Sequence, residues 1–102
     1  MKSFLISDNA DTYIGLRLAG IQGVILNDRQ SVLDEFNARI NDPEINILII
    51  TEKIADLIQD EVTEVKLKRR FPLIAEIPSS GISGKSAEFI TDYIKESIGI
   101  KI

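Results

Sequence analysis

The chain has 102 residues, enough for one domain but not for a second with a core of its own. Its 44% hydrophobic and 27% charged residues suit a soluble globular fold rather than a disordered or membrane-embedded one. A net charge of −4 opposes binding to a phosphate backbone, and with neither cysteine nor histidine there is no disulfide, no thiol nucleophile and no usual ligand for structural zinc.

The first apolar run, Phe4-Leu5-Ile6, is too short for a helix and predicts a strand. Asp8 ends the run long before it could form a signal-peptide core, and nowhere does an apolar stretch approach the roughly 20 residues that span a bilayer. A cytoplasmic chain is expected, with no direct membrane insertion. Asp11 to Ala19 has a helical pattern closed by Gly20, which can adopt the left-handed conformation that stops a helix. Val24-Ile25-Leu26 predicts a second strand, and Ser31 to Asn41 a second helix, with Ser31 and Asp34 spaced as in a capping box.

Ile45 to Ile50 is apolar at almost every position, which a strand requires only when helices cover both of its faces; that implies a parallel sheet. Thr51 or Glu52 to about Lys68 predicts a third helix, docked through Ile54, Leu57, Ile58, Val62 and Val65. Its carboxylates, Glu52, Asp56, Asp60, Glu61 and Glu64, should mostly face away, as a solvated surface rather than a metal site. The cluster Lys66-Leu67-Lys68-Arg69-Arg70 falls at the helix end, where cations complement the dipole. Pro72 to Ile77 predicts a fourth strand, placed at an edge because Glu76 interrupts its apolar run.

A last helix is predicted over Lys85 to Ile98. Ala87, Ile90, Ile94 and Ile98 form one stripe and Phe89 and Tyr93 a second beside it, together about half the circumference at about 100° per residue. That is wider than docking on a sheet needs, so part of it should remain for a partner. The alternation of strands and helices reads as a single α/β domain spanning 1–102, a doubly wound four-stranded parallel sheet of order 2-1-3-4, Rossmann- or receiver-like.

In such a sheet, ligands bind beyond the carboxyl ends of the strands, which nominates Ser7-Asp8-Asn9, Asn27-Asp28, Thr51-Glu52 and Ser79-Ser80. A receiver would end its third strand in a phosphorylated Asp, but here Thr51 stands in that position, and the fifth strand that would carry the receiver's lysine is missing. A hydroxyl in place of the carboxylate removes both the acyl-phosphate chemistry and a Mg²⁺ ligand. Asp8 is then a cap or loop residue near the first helix. Ser79 to Ser86 ends in the Gly84-Lys85-Ser86 of a phosphate-binding loop, but Ser79 replaces its first glycine and no later strand remains to complete a nucleotide site. No cofactor is expected.

Three stretches stand in order: Gly15-Leu16-Arg17-Leu18-Ala19-Gly20-Ile21, Leu48-Ile49-Ile50-Thr51-Glu52-Lys53-Ile54-Ala55 and Pro72-Leu73-Ile74-Ala75-Glu76-Ile77-Pro78-Ser79. Together they resemble the signature stretches of the F subunit of the rotary V/A-type ATPases. The resemblance implies a non-catalytic central-stalk component that binds the coiled coil of the D subunit. Contact with the catalytic A/B ring and with the membrane-rotor connector would be indirect, and ATP would be hydrolysed elsewhere. It also implies that the C-terminal helix lies against the shaft. The expected partner surface is therefore Phe89, Ile90, Tyr93, Ile94 and Ile98, with the loop residues Ser79, Ser80, Gly81 and Ile82 beside them. The competing functions are a receiver-like or nucleotide-responsive regulator and a homodimeric scaffold.

Overall fold

A computed structural model describes residues 2–79. Four parallel strands, β1 (Lys2–Ser7), β2 (Gln22–Ile25), β3 (Ile45–Thr51) and β4 (Leu73–Ile77), form one sheet in the order β2-β1-β3-β4. This is the expected α/β arrangement, with β4 at an edge. Four helices connect and flank the strands: α1 (Ala10–Leu18), α2 (Arg29–Ile40), α3 (Glu52–Leu57) and α4 (Gln59–Lys68).

The handedness of the crossovers decides which face each helix covers. The β1-to-β2 connection runs one way across the sheet, and the later connections run the other way, so right-handed crossovers place α1 opposite α2, α3 and α4. Two apolar clusters follow from that division. On one face Phe4, Ile6, Leu48 and Ile50 meet Val32 and Phe36 of α2, Ile54 of α3, and Val62 and Val65 of α4. On the other, Leu5, Ile47, Ile49, Ala75 and Ile77 cluster with Leu16 of α1. Alternate residues of β3 thus serve opposite clusters, which is why the strand is apolar almost throughout.

Glycine has a structural reason at two positions. Gly20 closes the α1 turn with φ +86°, the left-handed conformation expected of it. Gly23 lies opposite Leu5 in the β1–β2 register, where an added Cβ would stand 2.6 Å from the Leu5 carbonyl oxygen. The edge strand β2 therefore approaches β1 more closely than a side chain would permit.

Two helix boundaries differ from the sequence expectation. α2 begins at Arg29 and is capped by Asp28, whose carboxylate accepts from the Ser31 N–H at 2.9 Å; Asp34 accepts from Gln30 and does not reach back. Asp caps at least as well as Ser, and Arg29 and Gln30 are good helix formers, so the helix extends two residues further upstream. The third predicted helix is two helices, interrupted at Ile58 (φ −130°, ψ 40°). Ile54, Ile58, Val62 and Val65 are nevertheless all buried, so the docking stripe survives the break.

Arg29 ties this break to α2. Its guanidinium donates to the Leu57 carbonyl at 2.7 Å, satisfying an acceptor at the end of α3, and to the Glu61 carboxylate at 2.6 Å. The hydrogen bond from Arg29 holds the Glu61 carboxyl below its ordinary range, and the Arg29 pKa is raised correspondingly.

Candidate functional site

The carboxyl edge of the sheet, where a doubly wound fold offers its ligand site, is occupied by hydrogen bonds of the chain to itself. Ser7 ends β1 fully buried; its hydroxyl donates to the Asn9 carbonyl at 2.8 Å and accepts from the Asn9 N–H at 3.0 Å. Thr51 ends β3, also fully buried, and its hydroxyl accepts from the Asp8 N–H at 3.3 Å. The Thr51 side chain precedes α3 but makes no capping bond to it, because its hydroxyl is turned to the loop after β1.

Asn9 is the residue around which this edge is organised. Its side-chain oxygen caps α1 by accepting from the Thr12 N–H at 2.8 Å, and its amide donates to the Ser79 carbonyl. Ser79 in turn accepts at its hydroxyl from the Lys53 N–H at 2.9 Å, using a donor that the first turn of α3 leaves over. One small network thus joins the loop after β1, the starts of α1 and α3, and the chain leaving β4. Asp8 is the loop residue of this group and Asn9 the cap.

Of the residues nominated at this edge, Ser7, Asp8, Asn9, Thr51 and Ser79 come together. Asn27 and Asp28 stand apart, with Asp28 capping α2; the Ser31 N–H bonded to its carboxylate lowers its pKa. Sequence reasoning missed the Lys53 N–H, which is a backbone group and leaves no trace in residue type. Three surface concavities lie elsewhere: beside the amino ends of β1 and β2, between α2 and α4, and around Pro43 and Phe71.

The carboxylates Glu52, Asp56, Asp60 and Glu64 are exposed, as expected, while Glu61 is half-buried against Arg29. Among the described residues no group of three acidic side chains is placed to hold a metal ion. Nor is any described helix long and apolar enough to cross a membrane. Of the expected partner surface, Ser79 is described and half-buried; Ser80, Gly81, Ile82, the Gly84-Lys85-Ser86 turn, Phe89, Ile90, Tyr93, Ile94 and Ile98 lie outside the described residues.

Residues 4–97 match the family described as ATP synthase (F/14-kDa) subunit. The chain belongs to that family. It is 34% identical to the A-type ATP synthase F subunit of Methanocaldococcus jannaschii over 104 aligned residues, covering 100% of this chain and 99% of the relative. The A-type ATP synthase F subunit of Methanothermobacter thermautotrophicus is 31% identical over 94 residues, 90% of this chain and 88% of its own. That of Methanosphaera stadtmanae is 30% identical over 99 residues, 95% and 92% respectively. As a member of the ATP synthase F/14-kDa family the chain is a component of a rotary ATPase, and the resemblance drawn from its three stretches holds over nearly its whole length.

Proposed function

We propose that the chain is a non-catalytic rotor component of the central stalk, binding the coiled coil of the D subunit and coupling ATP hydrolysis or synthesis to ion transport. The observation that carries this reading is the closed carboxyl edge. In an ATP synthase component with a nucleotide-binding type of sheet, the place for a phosphate is filled by Ser7, Asn9, Thr51 and Ser79 bonding to one another and to backbone groups. Among the described residues this leaves surface as the basis of function, and contact with the A/B ring and the membrane-rotor connector follows through the D subunit.

The same network supports a partner-binding role for the segment beyond it. Ser79 is held from two sides, so the loop 79–82 and the predicted helix at 85–98, with Phe89, Ile90, Tyr93, Ile94 and Ile98, start from a fixed point on the sheet.

Co-expression with the D-subunit coiled coil of the same source is the direct test: a stable one-to-one complex is expected by size-exclusion chromatography with light scattering. Two separate species would remove the reading. Calorimetry with Mg²⁺ and ATP addresses the regulator alternative; no saturable heat is expected, and saturable binding lost in Lys85→Ala would favour the regulator over the rotor component.

A further inference from the structure

Four of the twelve basic residues of this acidic chain fall within the five positions 66–70, at the amino end of the sheet, away from Ser79. The structure divides them. Lys66 pairs with Glu76 and Lys68 with Glu64 at 3.1 Å, while Arg69 donates to the Ile40 carbonyl at 3.0 Å; Arg69 and Arg70 have no ion pair among the described residues, and Arg70 no hydrogen bond to the chain either. The apolar members of the same turn point to water: Leu67 is 81% exposed and Phe71 55%. Neither belongs to a core cluster, and a solvated helix end needs neither of them.

We propose that the turn Leu67–Phe71 is a second docking surface, whose occupant is a protein surface carrying an apolar side chain flanked by carboxylates. Charge complementarity selects that occupant. The C-terminal end of α4 brings the negative pole of its dipole, but four cations surround it against two paired acids, so the local field is positive on a molecule whose net charge is −4. Arg70 offers the planar fork that carboxylates accept in bidentate fashion. Leu67 and Phe71 supply the apolar contact, since covering such exposed side chains removes apolar surface from water.

Anionic lipid would answer to the same cations, but lipid-binding clusters hold about 4–8 basic residues, and here two of the four already face carboxylates. A nucleic acid meets the same shortage, compounded by the net negative charge. The surface does not depend on the proposed contact with the D subunit, because it lies at the other end of β4 from the point where the chain leaves the sheet.

The test is photo-crosslinking of the full chain, produced in its own cells with Leu67→p-benzoylphenylalanine. The expected result is a protein adduct whose crosslinked peptide carries at least two Asp or Glu residues within one helical turn of an apolar one. Its yield should fall at least tenfold in the added variant Arg70→Glu, and fall again as salt is raised. The same probe at Gln30, exposed on α2, should give no such adduct. Absence of an adduct at position 67, an adduct on a peptide without carboxylates, or one indifferent to Arg70→Glu overturns the proposal. So does co-sedimentation of the purified chain with phosphatidylglycerol vesicles or its retention on poly-uridine RNA, if Arg70→Glu abolishes it. Leu67 and Arg70 are both exposed, so thermal melts of both variants should match that of the unaltered chain; a melt that does not match means the change acts through folding.

Discussion

At the scale of single residues, the molecule depends most on side chains that have no access to water. Ile49 sits in the middle of β3, 1% exposed and paired in register with both Leu5 and Ala75. A carboxylate placed there would find no partner, and an unpaired buried charge costs several kcal/mol, against a total stability of about 5–15 kcal/mol. Ile49→Asp should therefore yield no cooperative thermal transition by circular dichroism; a melt like that of the unaltered chain would contradict the placement of β3. Asn9 is a different case, since its value lies in two bonds rather than in burial. Asn9→Ala removes the α1 cap and the bond to Ser79 together, at about 1 kcal/mol for the cap alone, or about 4–8 °C in melting temperature for a domain of this size. Asn9→Asp keeps an acceptor for Thr12 but cannot donate to Ser79, so it should recover the cap's share and no more. If Ala and Asp melt alike, the cap is not what Asn9 contributes.

At the scale of elements, the strands could be read from the sequence because each had one period and one composition to express. The continuous apolar run of β3 already implied two covered faces, and Glu76 already implied the edge. The helix ends were less legible for a physical reason: Asp28 and Ser31 both satisfy capping preferences, and only the fold decides between them. The break at Ile58 left no sign at all, since Ile54, Leu57, Ile58, Val62 and Val65 have the spacing of an unbroken helix. Strand order alone places Ser7, Asp8, Asn9, Thr51 and Ser79 at the carboxyl edge, yet two of the bonds that join them link residues 43 and 70 positions apart, where no local signal reaches. The break does carry a titratable tie. Glu61 has its folded pKa depressed by the hydrogen bond from Arg29, so its contribution to stability is present above the ordinary Glu pKa, about 4.3, and is lost as pH falls through the lower folded value. Asp28 adds to the same trend one step lower, from about 3.9 downward. Urea midpoints measured from pH 6 to pH 3 should fall on acidification, and the fall should be shallower in Glu61→Gln and in Arg29→Met; an unchanged slope in both would dissociate the pair from stability.

For the whole molecule, the question is how one small sheet meets its neighbours in a rotary ATPase. On the proposed reading, the segment 85–98, for which the sequence predicts a helix, carries the contact with the D subunit. At least one of Phe89→Ser, Tyr93→Ser, Ile94→Ser and Ile98→Ser should weaken that binding at least tenfold, about 1.4 kcal/mol, with the melting temperature unchanged. If all four bind normally or melt the domain, the contact lies elsewhere, and the loop 79–83 is the next place to look. The outer strand β4 raises a separate matter, that of staying monomeric before any neighbour arrives. A parallel sheet ends in strands whose outward N–H and C=O groups can recruit a strand from another chain, and such recruitment is how small sheets aggregate. Glu76 lies in the second half of β4, held by Lys66, so an intruding strand would have to lie beside a carboxylate. An exposed pair like this one adds only about 0–1 kcal/mol to folding, so the charge has more to do with colloidal behaviour than with stability. Glu76→Val should leave the urea midpoint nearly where it was and yet turn clear refolding at tens of micromolar, roughly the range in which unpaired edges associate, into a light-scattering suspension. Clear refolding of that variant would show that the edge is guarded by something other than its charge.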